Sequence, residues 1–183
     1  MAQPTAAWLR RRFGAQVTWL PFDLHPEYPP DGLPRADLLA RYGDGMIERM
    51  TATFAARGLV YNPNPEVVPN TRHALRLGEL ARDLGRHDDL HDRLMDAYWA
   101  EAQDIGDPAV LRALAAEIDL PARDVDELLD GDLYSEFVAE STDQAVSIGA
   151  SAVPAFVLDR RVLVLGAQRE EVFEQAVAQL GEA

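Results

Sequence analysis

Gly149-Ala-Ser-Ala-Val-Pro-Ala-Phe-Val-Leu158, continuing through Asp159-Arg160-Arg161 to Val162-Leu-Val-Leu165 and Gly166, decides the architecture of this chain. Two apolar runs separated by three polar residues predict a β-hairpin, with strands buried well enough to need no alternation of side-chain type. Pro154 stands at the mouth of the first strand, and a sheet tolerates proline only at a strand's first residue, at an edge or at a bulge. An X-Pro bond in cis costs only about 0.5–1 kcal/mol over trans, far less than for any other residue. The Val153–Pro154 bond is therefore either a cis turn or a rigid trans turn opening the hairpin.

Helical patterns flank the hairpin. After it, Arg169 to Leu180 places Val172, Ala176, Val177 and Leu180 on one face, with Glu170 and Glu171 at the end where the helix dipole favours acids. Before it lies a dense helical block. Asn70 and Thr71 are capping residues for a helix through Gly85. A second helix spans His87 to Gln103. A third starts at Asp107-Pro108, an acceptor followed by a proline at the first helical position, and runs to Ile118. A short helix from Pro121 or Asp124 to Gly131 follows, and another covers Leu133 to Ile148.

Nearer the N-terminus, Pro4 to Phe13 reads as a helix ended by Gly14. Val17-Thr-Trp-Leu-Pro-Phe22 is rich in β-branched and aromatic residues and predicts a strand. His25 to Pro34 and Tyr61 to Pro69 are proline-rich loops. Between them Leu38 to Arg57 is helical, interrupted by Gly43 and Gly45.

The composition narrows the chemistry. With 183 residues, 48% of them apolar, the chain can bury a full core. It carries 31 acidic and 17 basic residues, every basic one an arginine, for a net charge of −14. Between Asp83 and Asp143 there are 18 acids against 4 arginines, so the helical block carries the whole excess, on what reads as a solvated acidic face. Such a balance repels phosphate backbones, and the expectation is no nucleic-acid partner. Cysteine is absent, which removes disulfides, thiolate catalysis and Cys-zinc sites from these residues. No apolar run approaches the roughly 20 residues that cross a bilayer. The N-terminus lacks a basic-then-apolar leader pattern, so the expectation is a cytoplasmic protein with no membrane association.

Four segments in order, Val17-Thr-Trp-Leu-Pro-Phe-Asp-Leu-His-Pro26, Asn70-Thr-Arg-His-Ala-Leu-Arg-Leu77, Ile105-Gly-Asp-Pro108 and Gly149 to Gln168, resemble the DsbA-like branch of the thioredoxin superfamily. The likeness is strongest to its FrnE-type and 2-hydroxychromene-2-carboxylate isomerase relatives. It implies an α/β fold: a thioredoxin-like core from residues 1–34 and 146–183, split by a helical insertion at 35–145. It also implies that Val153-Pro154 is the family's cis-proline turn, with the Val153 backbone, and Ala152 behind it, pairing with an extended substrate.

What is missing is as informative. Relatives carry a central strand leading into Cys-Pro-x-Cys at a helix start. Here Gln3-Pro-Thr-Ala6 occupies that place, with the proline kept and both cysteines absent. The first core strand is missing too, since only Met1 and Ala2 precede Gln3. Three outcomes are open for the resulting gap: a chain whose natural start lies upstream, a strand donated by a partner chain, or a sheet that re-pairs. An exposed sheet edge also invites a homodimer.

The resemblance implies an oxidoreductase-like protein inert in disulfide exchange, with no catalytic residue of its own. A glutathione-dependent isomerase or transferase is one alternative, with Thr5 offering a hydroxyl at a helix start and the tripeptide in the cleft between core and insertion. A non-catalytic holder of extended peptides is the other. Asn70 and His73 belong to a motif that faces the groove in relatives, although capping and packing roles account for them equally well. His87-Asp-Asp-Leu-His91 places two imidazoles at i, i+4, but Asp88 stands where a zinc protease needs Glu, and surface histidines are the simpler reading. No metal site is expected. No G-x-S-x-G elbow and no glycine-rich phosphate loop is present.

Overall fold

A computed structural model describes residues 2–43, 45–63 and 65–181. In chain order these residues form α1 (Ala2–Phe13), β1 (Leu33–Pro34), α2 (Arg35–Tyr42), α3 (Gly45–Ala55), β2 (Val67–Val68), α4 (Arg72–Asp83), α5 (His87–Trp99), α6 (Pro108–Glu117), α7 (Ala122–Asp130), α8 (Ser135–Ser147), β3 (Ala155–Leu158), β4 (Val162–Leu165) and α9 (Glu170–Gly181). The chain divides into two compact units, Met1–Leu20 with Glu140–Ala183, and Pro21–Ala139.

The first unit is built on the hairpin. β3 and β4 pair antiparallel, with Phe156 opposite Val164 and Leu158 opposite Val162. The turn closes with Arg161 N–H donating to Leu158 C=O at 3.0 Å. Asp159 and Arg160 have φ of 49° and 56°, the positive values that a type I′ turn takes at its two central residues. Phe156, Leu158, Val162 and Val164 face Leu9, Phe173 and Ala176, so α1 and α9 cover one side of the ribbon. Phe173 meets Phe156 edge-on at 5.0 Å, and Trp8 meets Phe13 edge-on at 5.4 Å.

Two expectations for this unit are corrected. β3 does alternate, Ala155 and Val157 exposed and Phe156 and Leu158 half-buried on the side of α1 and α9, whereas β4 has no exposed residue, as the sequence reading expects. The predicted strand Val17–Phe22 is irregular and joins no ladder. A strand is a property of a pair, and the β3–β4 sheet offers it no neighbouring strand among the described residues.

The second unit is the helical block. Leu77, Leu80 and Ala81 of α4 pack with Leu90, Leu94 and Ala97 of α5. Leu111 and Leu114 of α6 and Val125, Leu128 and Leu129 of α7 complete the same core. Asp107 caps α6 as its sequence predicts, accepting from Ala109 N–H at 2.7 Å, with Pro108 behind it. Thr71 makes no side-chain cap on α4; Asn70 serves instead, its Oδ1 accepting from Arg72 N–H at 3.0 Å. The helix predicted to Gln103 stops at Trp99, and Ala102 turns the chain with φ 57°.

Residues 21–34, expected with the core, fold with the helical block. β1 pairs antiparallel with β2, Leu33 opposite Val68. Arg72 pairs with Asp23 at 3.2 Å, and its guanidinium also reaches the Pro26 carbonyl. Gly32 permits the close approach: an added Cβ there would lie 2.5 Å from the Val68 carbonyl oxygen, and its φ of +73° already favours glycine.

Candidate functional site

In the first unit, Ala152, Val153 and Pro154 lead directly into β3. The Val153–Pro154 peptide bond is cis. The Pro154 carbonyl accepts from Gly166 N–H at 2.8 Å, which anchors the start of the ribbon. Val153 is 51% exposed, and Ala152 is exposed beside it. No hydrogen bond engages the Val153 backbone among the described residues, so its N–H and C=O are available to an extended chain.

Thr5 also lies in this unit but not where a capping hydroxyl belongs. α1 begins at Ala2, so Thr5 is its fourth residue, half-buried and inside the helix. Pro4 is tolerated in that first turn because the N–H it lacks would have had no helical partner. Buried Ala6 and Leu9 fix the face that α1 turns inward.

Asn70 and His73 belong to the other unit. Asn70 is 7% exposed, and its amide nitrogen donates to the Tyr28 carbonyl at 2.9 Å and the Pro29 carbonyl at 3.3 Å. With Oδ1 already capping α4, donors and acceptor are both used to staple the proline-rich loop to that helix. His73 Nδ1 lies 3.3 Å from Arg76 Nη1. Burial, and then the Arg76 charge, holds the His73 imidazole below its ordinary value, so it is neutral at pH 7 and accepts from the guanidinium.

Arg76 itself escaped notice in the sequence. It is 6% exposed, and its Nε donates to Leu133 C=O at 2.7 Å while Nη2 donates to Leu128 C=O at 2.6 Å and Gly131 C=O at 2.8 Å. These are carbonyls at and just beyond the end of α7, where a helix needs donors from outside. An arginine two positions after Ala74 on a helix with an apolar face carries no signal of this in sequence.

The imidazoles of His87 and His91 stack with centroids 6.0 Å apart. Burial lowers both pKa values. Among the described residues no group of three or more His, Asp or Glu side chains is placed to hold a metal ion.

A short antiparallel ribbon backed by a first and a last helix, with a helical block between them in sequence, defines the thioredoxin-like class with a helical insertion. The family model for the DSBA-like thioredoxin domain matches residues 2–178. The chain belongs to that family. It is 28% identical over 166 residues to the uncharacterized protein YwbO of Bacillus subtilis (strain 168), covering 89% of this chain and 81% of the relative. It also resembles the crystal structure of the probable DsbA oxidoreductase SCO1869 from Streptomyces coelicolor. The TM-score is 0.87 at 32% identity, covering 99% of this chain and 82% of that one. No described helix is long and apolar enough to cross a membrane.

Proposed function

We propose that this chain is a FrnE-type, DsbA-family protein that holds an extended peptide through the Val153 backbone and is inert in thiol–disulfide exchange by its own residues. The observation that carries the reading is the absence of cysteine from all 183 residues of a chain in an oxidoreductase family. Exchange proceeds by attack of a thiolate on a disulfide sulfur, and Gln3, Thr5 and Ala6 offer neither thiolate nor disulfide. What remains is recognition. The exposed Ala152-Val153 backbone precedes a strand whose outward residues, Ala155 and Val157, are apolar and uncharged, a surface suited to β-strand addition.

In this reading Val153, Ala152 and Pro154 contact the peptide. Asn70 and His73 are positioning residues of the helical block, and Thr5 supports the α1 packing. The protein acts in the cytoplasm and needs neither cofactor nor metal. Its bare ribbon edge is open to a second copy as well as to a peptide.

Thermal melting of the full chain with a cysteine-free apolar peptide, with glutathione and with glutathione disulfide tests the assignment. A ligand that binds only the native state raises the melting temperature by mass action. A rise with peptide alone supports the proposal, whereas a rise with glutathione alone replaces it with the isomerase-type alternative. No response to any of them removes the peptide role.

A further inference from the structure

Arg35, the first residue of α2, lacks the carboxylate partner that many of the other arginines have. Arg72, Arg82, Arg86, Arg93, Arg112 and Arg123 each meet a carboxylate within salt-bridge distance. Arg35 meets none among the described residues, in a chain of net charge −14. Its Nη2 donates to the Tyr61 hydroxyl at 2.8 Å. Its Nε–H is buried and finds no acceptor among the described residues. A buried donor on a charged group left in this state is costly, and in native proteins such a donor marks a site for an ion or water.

The surroundings sharpen the choice of acceptor. The Tyr98 phenol is held above its ordinary value by burial, with Arg35 opposing and Tyr61, Tyr28 and Asp104 reinforcing, which places these groups in one electrostatic neighbourhood. Tyr98 is therefore neutral at pH 7 and cannot balance the guanidinium. Asp104, the one carboxylate in that set, has its Oδ1 engaged by Gly106 N–H at 2.8 Å. Tyr61 belongs to an aromatic cluster: Phe54 lies 5.2 Å from Tyr61 and 5.1 Å from Trp99, centroid to centroid. A cation against rings attracts an anion more strongly than the same cation in water, because the local dielectric is low.

We propose that Arg35 and Tyr61 form a binding site for a small carboxylate anion, one oxygen accepting from Arg35 Nε–H and the other from the Tyr61 hydroxyl. The roles are consistent, since the Tyr61 oxygen already accepts from Nη2 and its O–H remains free to donate. Charge-assisted donors at a planar guanidinium match a carboxylate geometrically. Nε is buried, which restricts the site to a small ligand. The site lies wholly within residues 21–139 and is independent of the peptide-holding role assigned to Val153.

Acetate is the probe, titrated into the full chain against chloride at equal ionic strength, with acetamide as the neutral isostere. The expected result is a saturable, acetate-specific rise of about 3–6 °C in melting temperature at ten times the dissociation constant. Arg35→Gln abolishes that rise, and acetamide gives none. A second measurement does not depend on the variant folding: the Arg35 Nε–H resonance of the unmodified chain shifts with acetate and not with chloride. An equal response to acetate and chloride, a rise that survives Arg35→Gln, or an Nε–H resonance that stays in place overturns the proposal.

Discussion

The Arg76 guanidinium donates from Nη2 to the Leu128 carbonyl at 2.6 Å, joining residues 52 positions apart inside the helical block. The same side chain also satisfies the Gly131 and Leu133 carbonyls. A side chain of α4 thus supplies the donors that the end of α7 lacks. Burial lowers the Arg76 pKa from a value so high that the group stays charged throughout the working range, with Asp132 opposing the shift.

Removing that side chain leaves buried carbonyls without donors. Arg76→Ala is expected to cost roughly 3 kcal/mol or more, in line with the loss of a buried charged hydrogen-bonding network. Urea unfolding followed by circular dichroism measures it. Arg76→Lys recovers only part of the loss, because one ammonium cannot span three carbonyls as the guanidinium fork does. A near-neutral Arg76→Ala would show that these carbonyls find water instead.

Asn70 distinguishes a structural staple from a binding residue. Asn70→Ala removes two donors and one acceptor, and the expected loss is about 1–3 kcal/mol of stability. Peptide affinity, measured at a temperature where the variant is fully folded, stays unchanged. A variant of normal stability with weakened peptide binding would move Asn70 into the recognition surface.

Three imidazoles make stability depend on pH. His73, His87 and His91 are all lowered from the ordinary value of 6.5, in each case chiefly by burial. The native state keeps them neutral while the unfolded chain takes up protons, so their contribution is complete above pH 6.5 and falls as the pH drops towards the lowered native values. Glu27 and Glu117 are shifted down from 4.5, so their contribution is lost only at lower pH. Between about pH 7 and 5 the histidines therefore govern the slope. The urea midpoint should fall across that window, and His87→Gln with His91→Gln should flatten the decline. An unaltered slope in the double variant would assign the effect elsewhere.

Much of the fold is legible in sequence because its signals are local. Asp107-Pro108 announces a helix start through capping chemistry that three adjacent residues complete. The ribbon 155–165 announces itself through two apolar runs of matched length. The Val17–Phe22 segment shows the limit: its β-branched and aromatic residues favour extended backbone, but only a neighbouring strand converts preference into a ladder. β1 and β2 hide for the opposite reason. Two residues each, inside proline-rich loops, they pair over a separation that no periodicity marks. The site divides along the same line. Val153 is legible because Pro154 labels it. Arg35 is not, since the tyrosine it meets lies 26 residues away, and neither residue stands out in its own surroundings.

In the function proposed here, a scaffold of the DsbA family works without cysteine. Reduction of insulin by dithiothreitol, followed by turbidity in the presence of the full 183-residue chain, addresses this most directly. The predicted result is a rate equal to the uncatalysed reaction at every protein concentration. A rate that climbs in proportion to the protein would contradict it, because these residues would then be exchanging disulfides with no thiol to do so.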